Sequence, residues 1–306
     1  MKYIDLHSHT CYSDGTSTVE NSLKTAESLS LEIFSVSDHN SVGAYGEIKE
    51  KRSLFSGSIL PAVELSTTYD GESIEILGYG VDVEKMNRLL GETYYSFREK
   101  QIIEAALDVR AVREYGAVLD PDFVCTMINH PERMFDPSRE SNRPYLLCEL
   151  QRHPENVRFF KSKEEFEAID CHRFTRDYLF NSKSTLYSDQ SSLFPTLSRV
   201  IDMIHSCGGL AFLAHPLVYS KDFSERLDEV AGCGIDGMEC SYGIFTRKQR
   251  ELVSSVCERH CLYRSGGSDF HGLDMRPMNL MGLSSGDRIP LSLIEDWLPM
   301  VKDSLM

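Results

Sequence analysis

The sequence is short of positive charge. In 306 residues, 32 Lys and Arg stand against 47 Asp and Glu, a formal net charge of −15. A protein that binds nucleic acid regardless of sequence draws most of its affinity from neutralising phosphates. A long duplex is therefore excluded as the main ligand. Small or short phosphorylated substrates stay open where positive charge is local, bound metal included. Paired cysteines are lacking too. Cys11, Cys125, Cys148, Cys171, Cys207, Cys233, Cys240, Cys257 and Cys261 are scattered, odd in number and never spaced CxxC. The opening Met-Lys-Tyr-Ile-Asp-Leu-His carries no secretory pattern, so reduced thiols in a cytoplasm are expected. No apolar run approaches the roughly 18 residues of a membrane span. No serine or cysteine nucleophile signature is read: neither GxSxG nor the phosphate-cradling loop GxxxxGK[ST] is expected in the chain.

What is present is ordinary in composition. Hydrophobic residues make up 41% and charged residues 26%, as in a soluble globular protein. The length suits one large barrel domain, or one domain carrying an insertion. Seven short apolar runs read as strands: residues 3–6, 32–36, 59–64, 74–77, 210–214, 237–240 and 261–264. Amphipathic stretches follow most of them, among them 19–30, 195–205 and 224–232. Strand-then-helix repetition argues for a parallel α/β sheet or barrel. The rhythm breaks after the fourth run. Residues 84–115 read as one long helix with Leu90, Tyr94 and Phe97 on a face, and 116–189 as a helical insertion. Ten of the 32 basic residues fall between Arg133 and Lys183, either a local source of positive charge or a solvated helical surface.

Ten histidines are present, and their positions matter more than their number. His7 and His9 end the first run, and residues i and i+2 of an extended segment point the same way. Asp14 follows in a tight turn. His39 ends the second run, Glu64 the third and His215 the fifth. Asp269 and His271 follow the last, again at i, i+2. Each motif alone has a bland reading: a helix cap, a satisfied core histidine, a salt bridge. Their joint occurrence at strand ends is harder to dismiss. In a β/α barrel those ends gather on the face where active sites sit. Mixed imidazole and carboxylate donors suit Zn, Fe or Mn, and eight of them exceed what one tetrahedral ion takes.

Taken in order, Asp5-Leu6-His7-Ser8-His9-Thr10 with Ser13-Asp14-Gly15, Ser37-Asp38-His39, Val63-Glu64, Ala214-His215-Pro216 and Gly267-Ser268-Asp269-Phe270-His271-Gly272 resemble the motifs of the PHP (polymerase and histidinol phosphatase) family. Within it they are most similar to stand-alone metal-dependent phosphoesterases with a helical insertion, which include enzymes acting on nucleoside 3′,5′-bisphosphates and short RNA ends. The resemblance implies an α/β fold: a distorted seven-stranded (β/α) barrel, TIM-like, over 1–88 and 190–306, with a small helical domain inserted over 89–189. It implies two or three divalent ions (Zn, Fe or Mn). His7, His9, Glu64 and Asp269 would hold one, and Asp14, His39 and His271 another. Glu64 and His215 would hold the remaining one, together with a strand-four histidine that is Glu75 here. Either Glu75 ligates as an oxygen donor or that position is weak. His215 and Asp269 are the candidate catalytic residues.

Arg143, in Asn142-Arg143-Pro144-Tyr145, is the candidate phosphate contact, with a salt bridge as its bland reading. Tyr145 and Phe245 stand where the family commonly has histidine. The implied activity is hydrolysis of a phosphomonoester by metal-activated hydroxide, on a nucleoside 3′,5′-bisphosphate or a short RNA 5′ end. The alternatives are a histidinol-phosphate phosphatase-like enzyme and a non-catalytic metal-binding or regulatory module. No membrane partner is expected.

Overall fold

β1 (Ile4–Asp5), β2 (Ile33–Phe34) and β3 (Ser58–Ile59) lie parallel in that order. They belong to a computed structural model that describes residues 2–130, 142–181, 183–219 and 221–306. β4 (Ala62–Tyr69), β5 (Glu72–Tyr79), β6 (Leu210–Leu213), β7 (Gly237–Tyr242) and β8 (Tyr263–Gly267) form a second sheet in chain order. A short antiparallel pair, Leu283–Ser284 with Asp287–Arg288, follows.

The α/β class holds, but among the described residues the strands form two larger sheets and a short pair, and the expected distorted seven-stranded barrel is not seen as a closed one. Two stretches of chain depart from it. The run expected at 59–64 is split, because Pro61 has no N–H to give a ladder; β3 ends before it and β4 begins after it. β4 and β5 form an antiparallel hairpin, and β6 pairs antiparallel with β5. Asp70 and Gly71 cause the reversal. Both have positive φ, 50° and 81°, which is the conformation a tight two-residue hairpin turn requires. Between the two sheets, pairing is isolated: Leu6 N–H to Gly266 O at 3.3 Å on one side, and a His39–Glu64 bridge on the other.

Alternation along the strands produces two cores. Ile4, Leu6, Ile33, Ala62, Leu77, Tyr79, Leu210 and Phe212 face inward and are plugged by Trp297 from the C-terminal segment. Phe34, Ile59, Val63, Leu65, Ile76, Ala211 and Leu213 face outward, onto Leu23, Ile48, Val200, Ile204 and Val253 of the surrounding helices. Glu64 lies two residues beyond Ala62, Glu75 two before Leu77, and Glu239 two beyond Gly237. All three acids thus prolong inward-facing rows.

Contacts divide the chain into two units, Met1–Tyr94 with Pro195–Met306, and Tyr95–Phe194. The long helix expected over 84–115 is broken at this division. Val83–Thr93 ends with Tyr94 in extended conformation. Phe97–Glu114 then starts afresh from a capping box, in which Ser96 takes the Glu99 N–H and Glu99 returns to the Ser96 backbone. Tyr94 therefore lies on no helical face; its hydroxyl donates to Ser66 O at 2.8 Å. The helix expected at 224–232 is likewise two pieces, Lys221–Ser224 and Leu227–Ala231. Among its described residues the second unit contains helices and no strand, packed around Val109, Val112, Leu146, Leu150, Phe174 and Leu179. The basic stretch begins at Arg133, outside the described residues. Among the described residues, no helix is long and apolar enough to cross a membrane.

Candidate metal centre

Close backbone packing brings β1 against β8. A Cβ on Gly267 would fall 2.2 Å from the Cβ of His7, so only glycine permits that approach. Asp269 N–H donates to His7 O at 2.8 Å, and His9 N–H to Phe270 O at 2.8 Å. Buried Asp5 adds a tie. Its carboxylate accepts from the N–H groups of Ser268 and Gly282, at 2.9 and 2.7 Å, and from the Ser268 hydroxyl at 2.6 Å. Asp38 does the same for the turn that carries Asp14, accepting from Thr10 N–H, Thr10 O–H and Ser13 O–H, each at 2.7 Å. Two residues at the strand ends hold strained backbone. His215 has φ 29° and Asp269 φ 55°, in the left-handed region that few non-glycine residues adopt.

On this frame, donor atoms converge. His7 Nε2 lies 3.1 Å from His9 Nε2, 3.1 Å from Glu64 Oε2 and 3.4 Å from Asp269 Oδ1. His9 Nε2 lies 3.1 Å from Glu64 Oε2 and 3.2 Å from Asp269 Oδ1. Four donors each about 2.1 Å from one tetrahedral centre stand roughly 3.4 Å apart. The observed spacings are close to that.

A second group joins His9, Asp14, His39 and His271. His271 Nδ1–H donates to Asp269 O at 2.9 Å, and Nε2 stands 3.2 Å from Asp14 Oδ1. A third joins His39, Glu64 and Glu75. His39 Nδ1 is 3.2 Å from Glu64 and 3.3 Å from Glu75. His215 Nε2 is 3.0 Å from Glu64 Oε1 and 3.2 Å from Glu75 Oε2. Despite those short distances, His39 Nδ1 and His271 Nε2 are buried without a hydrogen bond of acceptable geometry. Nitrogens that approach carboxylates without bonding them are what a shared cation would satisfy. The donor set therefore fits divalent metal.

Electrostatics reflect the crowding. Burial opposes charge on the imidazoles, but Glu64, Glu239 and Asp269 outweigh it and hold His7 well above its usual range. His9 is raised to about 9, chiefly by Asp269 and Glu64 against the same burial. His215 is raised to about 10 by Glu64 and Glu75. Burial also opposes charge on Glu64, Asp269 and Asp14, yet the neighbouring imidazoles hold all three well below the carboxylate range.

All the histidines and acids expected at strand ends meet here, Glu75 among them. Arg143 is in the second unit, at the start of a helix over Arg143–Arg152. Its Nε donates to buried Asp108 at 2.9 Å, and its guanidinium lies 4.7 Å from the Phe180 ring centre. Phe245 is buried beneath Tyr242, ring centres 4.9 Å apart.

Several residues in the centre have no role in the sequence reading. Glu239 is fully buried and accepts from His7 Nδ1–H at 3.0 Å and His215 N–H at 2.9 Å. Tyr242 O–H donates to Asp269 Oδ2 at 2.8 Å, and Arg276 Nη1 reaches the same oxygen. An acid ending an inward-facing strand row was the available signal for Glu239; Arg276 has none. One sequence signature needs correction. Gly282-Leu283-Ser284-Ser285-Gly286 does spell GxSxG. It lies in the short antiparallel pair, not in the strand-to-helix turn of a nucleophile elbow, and Ser284 O–H donates to Tyr242 O at 2.7 Å.

No family model matches the chain. It is similar over most of its length to curated proteins. A 5′-3′ exoribonuclease of Haemophilus influenzae is 26% identical over 275 residues, 88% of this chain and 90% of that protein. A 3′,5′-nucleoside bisphosphate phosphatase of Chromobacterium violaceum is 26% identical over 274 residues, 89% and 88% of the two chains. Two solved structures share the fold. An amidohydrolase from Chromobacterium violaceum, with bound sulfate and no metal, superposes with a TM-score of 0.63 at 22% identity, over 99% of this chain and 97% of that one. A protein of Bifidobacterium adolescentis described as a candidate metal-dependent phosphoesterase gives 0.60 at 21%, over 98% and 96%. The resemblance to PHP-type phosphoesterases drawn from the motifs is borne out.

Proposed function

We propose that this protein is a metal-dependent phosphoesterase that releases phosphate from a small nucleotide, a nucleoside 3′,5′-bisphosphate or the 5′ end of a short RNA. One observation carries the reading: the Nε2 atoms of His7 and His9 lie 3.1–3.4 Å from each other and from oxygens of Glu64 and Asp269, so that three separate chain segments meet in a buried cluster. The names of the curated relatives support the substrate class. The distorted seven-stranded barrel stays part of this reading, supported by the edge pairings Leu6–Gly266 and His39–Glu64. A cytoplasmic setting does too, supported by nine cysteines without a disulfide.

His7, His9, Glu64 and Asp269 would hold one ion, and His9, Asp14, His39 and His271 another. Glu75 and His215, both against Glu64, would complete a third position. Bound divalent metal lowers the pKa of a water and neutralises phosphate oxygens. The chain's own residues make that chemistry available. Glu239 accepts the His7 Nδ1 proton and so aims Nε2 at the cluster, the usual work of an acid behind a ligating imidazole. Asp269 O does the same for His271. Asp269 turns Oδ1 to the cluster and leaves Oδ2 to Tyr242 and Arg276, so it holds charge at the edge of the reacting site. Arg143 remains a proposed phosphate contact, and Asp108 competes for its guanidinium.

The test compares phosphate release from 3′-phosphoadenosine 5′-phosphate and from histidinol phosphate, before and after chelation and with metal restored. Release from the nucleotide, lost on chelation and regained with metal, is expected. Turnover undiminished by complete metal removal, or by the double change His7→Ala and His9→Ala, would overturn the reading.

A further inference from the structure

Arg276 lies on the segment following β8, and its guanidinium folds back onto Asp269 Oδ2. Among the described residues this is the one ion pair that a Lys or Arg makes with the clustered acids; their other ion-pair partners are imidazoles. Five carboxylates gather here: Asp14, Glu64, Glu75, Glu239 and Asp269. A phosphate monoester brings up to about two further negative charges. A cation at the rim is what such a ligand needs beside those within.

The segment holds Arg276 in place. Its N–H donates to Gly272 O at 3.1 Å, Asn279 N–H donates to Arg276 O at 3.0 Å, and the Asn279 amide reaches Ser268 O at 2.8 Å. Its side chain is 40% exposed, against 1% for Asp269, so the guanidinium straddles the boundary between the buried cluster and solvent. Burial opposes its charge, and Asp269, Tyr242, Asp14 and Glu64 more than compensate. A guanidinium has five N–H donors in a planar fork that matches phosphate oxygens, and Asp269 accepts from Nη1 alone.

We propose that Arg276 grips the substrate phosphate at the mouth of the metal centre, a phosphate anchor that none of the sequence motifs contains. The proposal rests on the phosphoesterase reading, and its test is separable from it. Binding of inorganic phosphate is measured by calorimetry on the metal-loaded protein, with no turnover involved, for wild type, Arg276→Gln and Arg276→Lys. Metal content is measured on the same samples. Phosphate affinity roughly tenfold or more weaker in the Gln variant is expected. The Lys variant, which keeps charge but not the fork, should fall between. Metal content should stay unchanged.

Phosphate affinity within about twofold of wild type in a metal-loaded Gln variant would overturn the anchor. So would a Gln variant that loses metal while the Lys variant keeps both metal and full phosphate affinity, since Arg276 would then only position Asp269. Wild-type protein that binds phosphate through Arg276 yet hydrolyses no phosphomonoester would sink the phosphoesterase reading and leave the anchor standing.

Discussion

Glu239 Oε1 stands 3.0 Å from His7 Nδ1, with both side chains wholly buried. The other carboxylate oxygen takes the backbone N–H of His215 at 2.9 Å. One acid thereby sets the orientation of two strand ends. Glu239→Gln keeps the shape but turns one acceptor into an NH₂ donor, which must face either His7 or the His215 N–H. A loss of roughly 10–100-fold in metal affinity is expected. Competition with a chelator of known affinity measures it. Wild-type affinity would show that His7 needs no such support.

Glu75 faces His39 and His215, and it forms a three-residue cluster with His39 and Glu64. Glu75→Ala should lower the metal-to-protein ratio found by elemental analysis, while His7, His9 and Asp269 keep their ion. Glu75→His exchanges an oxygen donor for nitrogen and should restore the ratio with a shift toward zinc. An unchanged ratio in the Ala variant would make Glu75 a bystander.

Trp297 fills the inward core from outside the strand repeat. It stacks on Tyr79 with ring centres 5.5 Å apart, lies 5.0 Å from Phe212, and donates Nε1–H to Arg264 O at 2.8 Å. Trp297→Ala should cost about 3–5 kcal/mol, read by denaturant unfolding of the unit that contains the metal centre. A cost below about 1 kcal/mol would mean the C-terminal segment is not integral to that core.

Glu149 in the helical unit carries a pH dependence of definite sign. Burial opposes its ionisation, but the Asp120 N–H at 2.9 Å, then His153 and Arg152, outweigh it and lower its pKa. A lowered carboxyl contributes stability that is present above its unfolded value, about 4.3, and is lost as pH falls through the folded value. Glu149→Gln should therefore flatten the acid limb of this unit's stability. It should also cost about 1–3 kcal/mol near neutrality. Hydrogen exchange over residues 117–153, at a series of pH values, separates the two effects. An acid limb unaltered in the variant would remove Glu149 as its cause.

The residues of the proposed metal centre were legible in the linear chain, because their signals are local. His7 with His9 and Asp269 with His271 stand at i, i+2 in extended segments. Glu64 and His215 end apolar runs long enough to be strands, and His39 lies just beyond one. The chain by itself also determined the α/β class and a helical insertion, since hydrophobic periodicity needs only neighbouring residues. Tertiary structure decided what depends on distant partners. β5 runs antiparallel because Asp70 and Gly71 turn the chain back, and that reversal brings Glu75 beside His39 and His215. The helix over 84–115 breaks because a capping box at Ser96 and Glu99 starts a new one. Glu239 and Arg276 acquire their roles only from contacts with His7 and Asp269. Sequence spacing cannot report those contacts, because register and close approach such as Gly267 against His7 are set by packing across the whole unit.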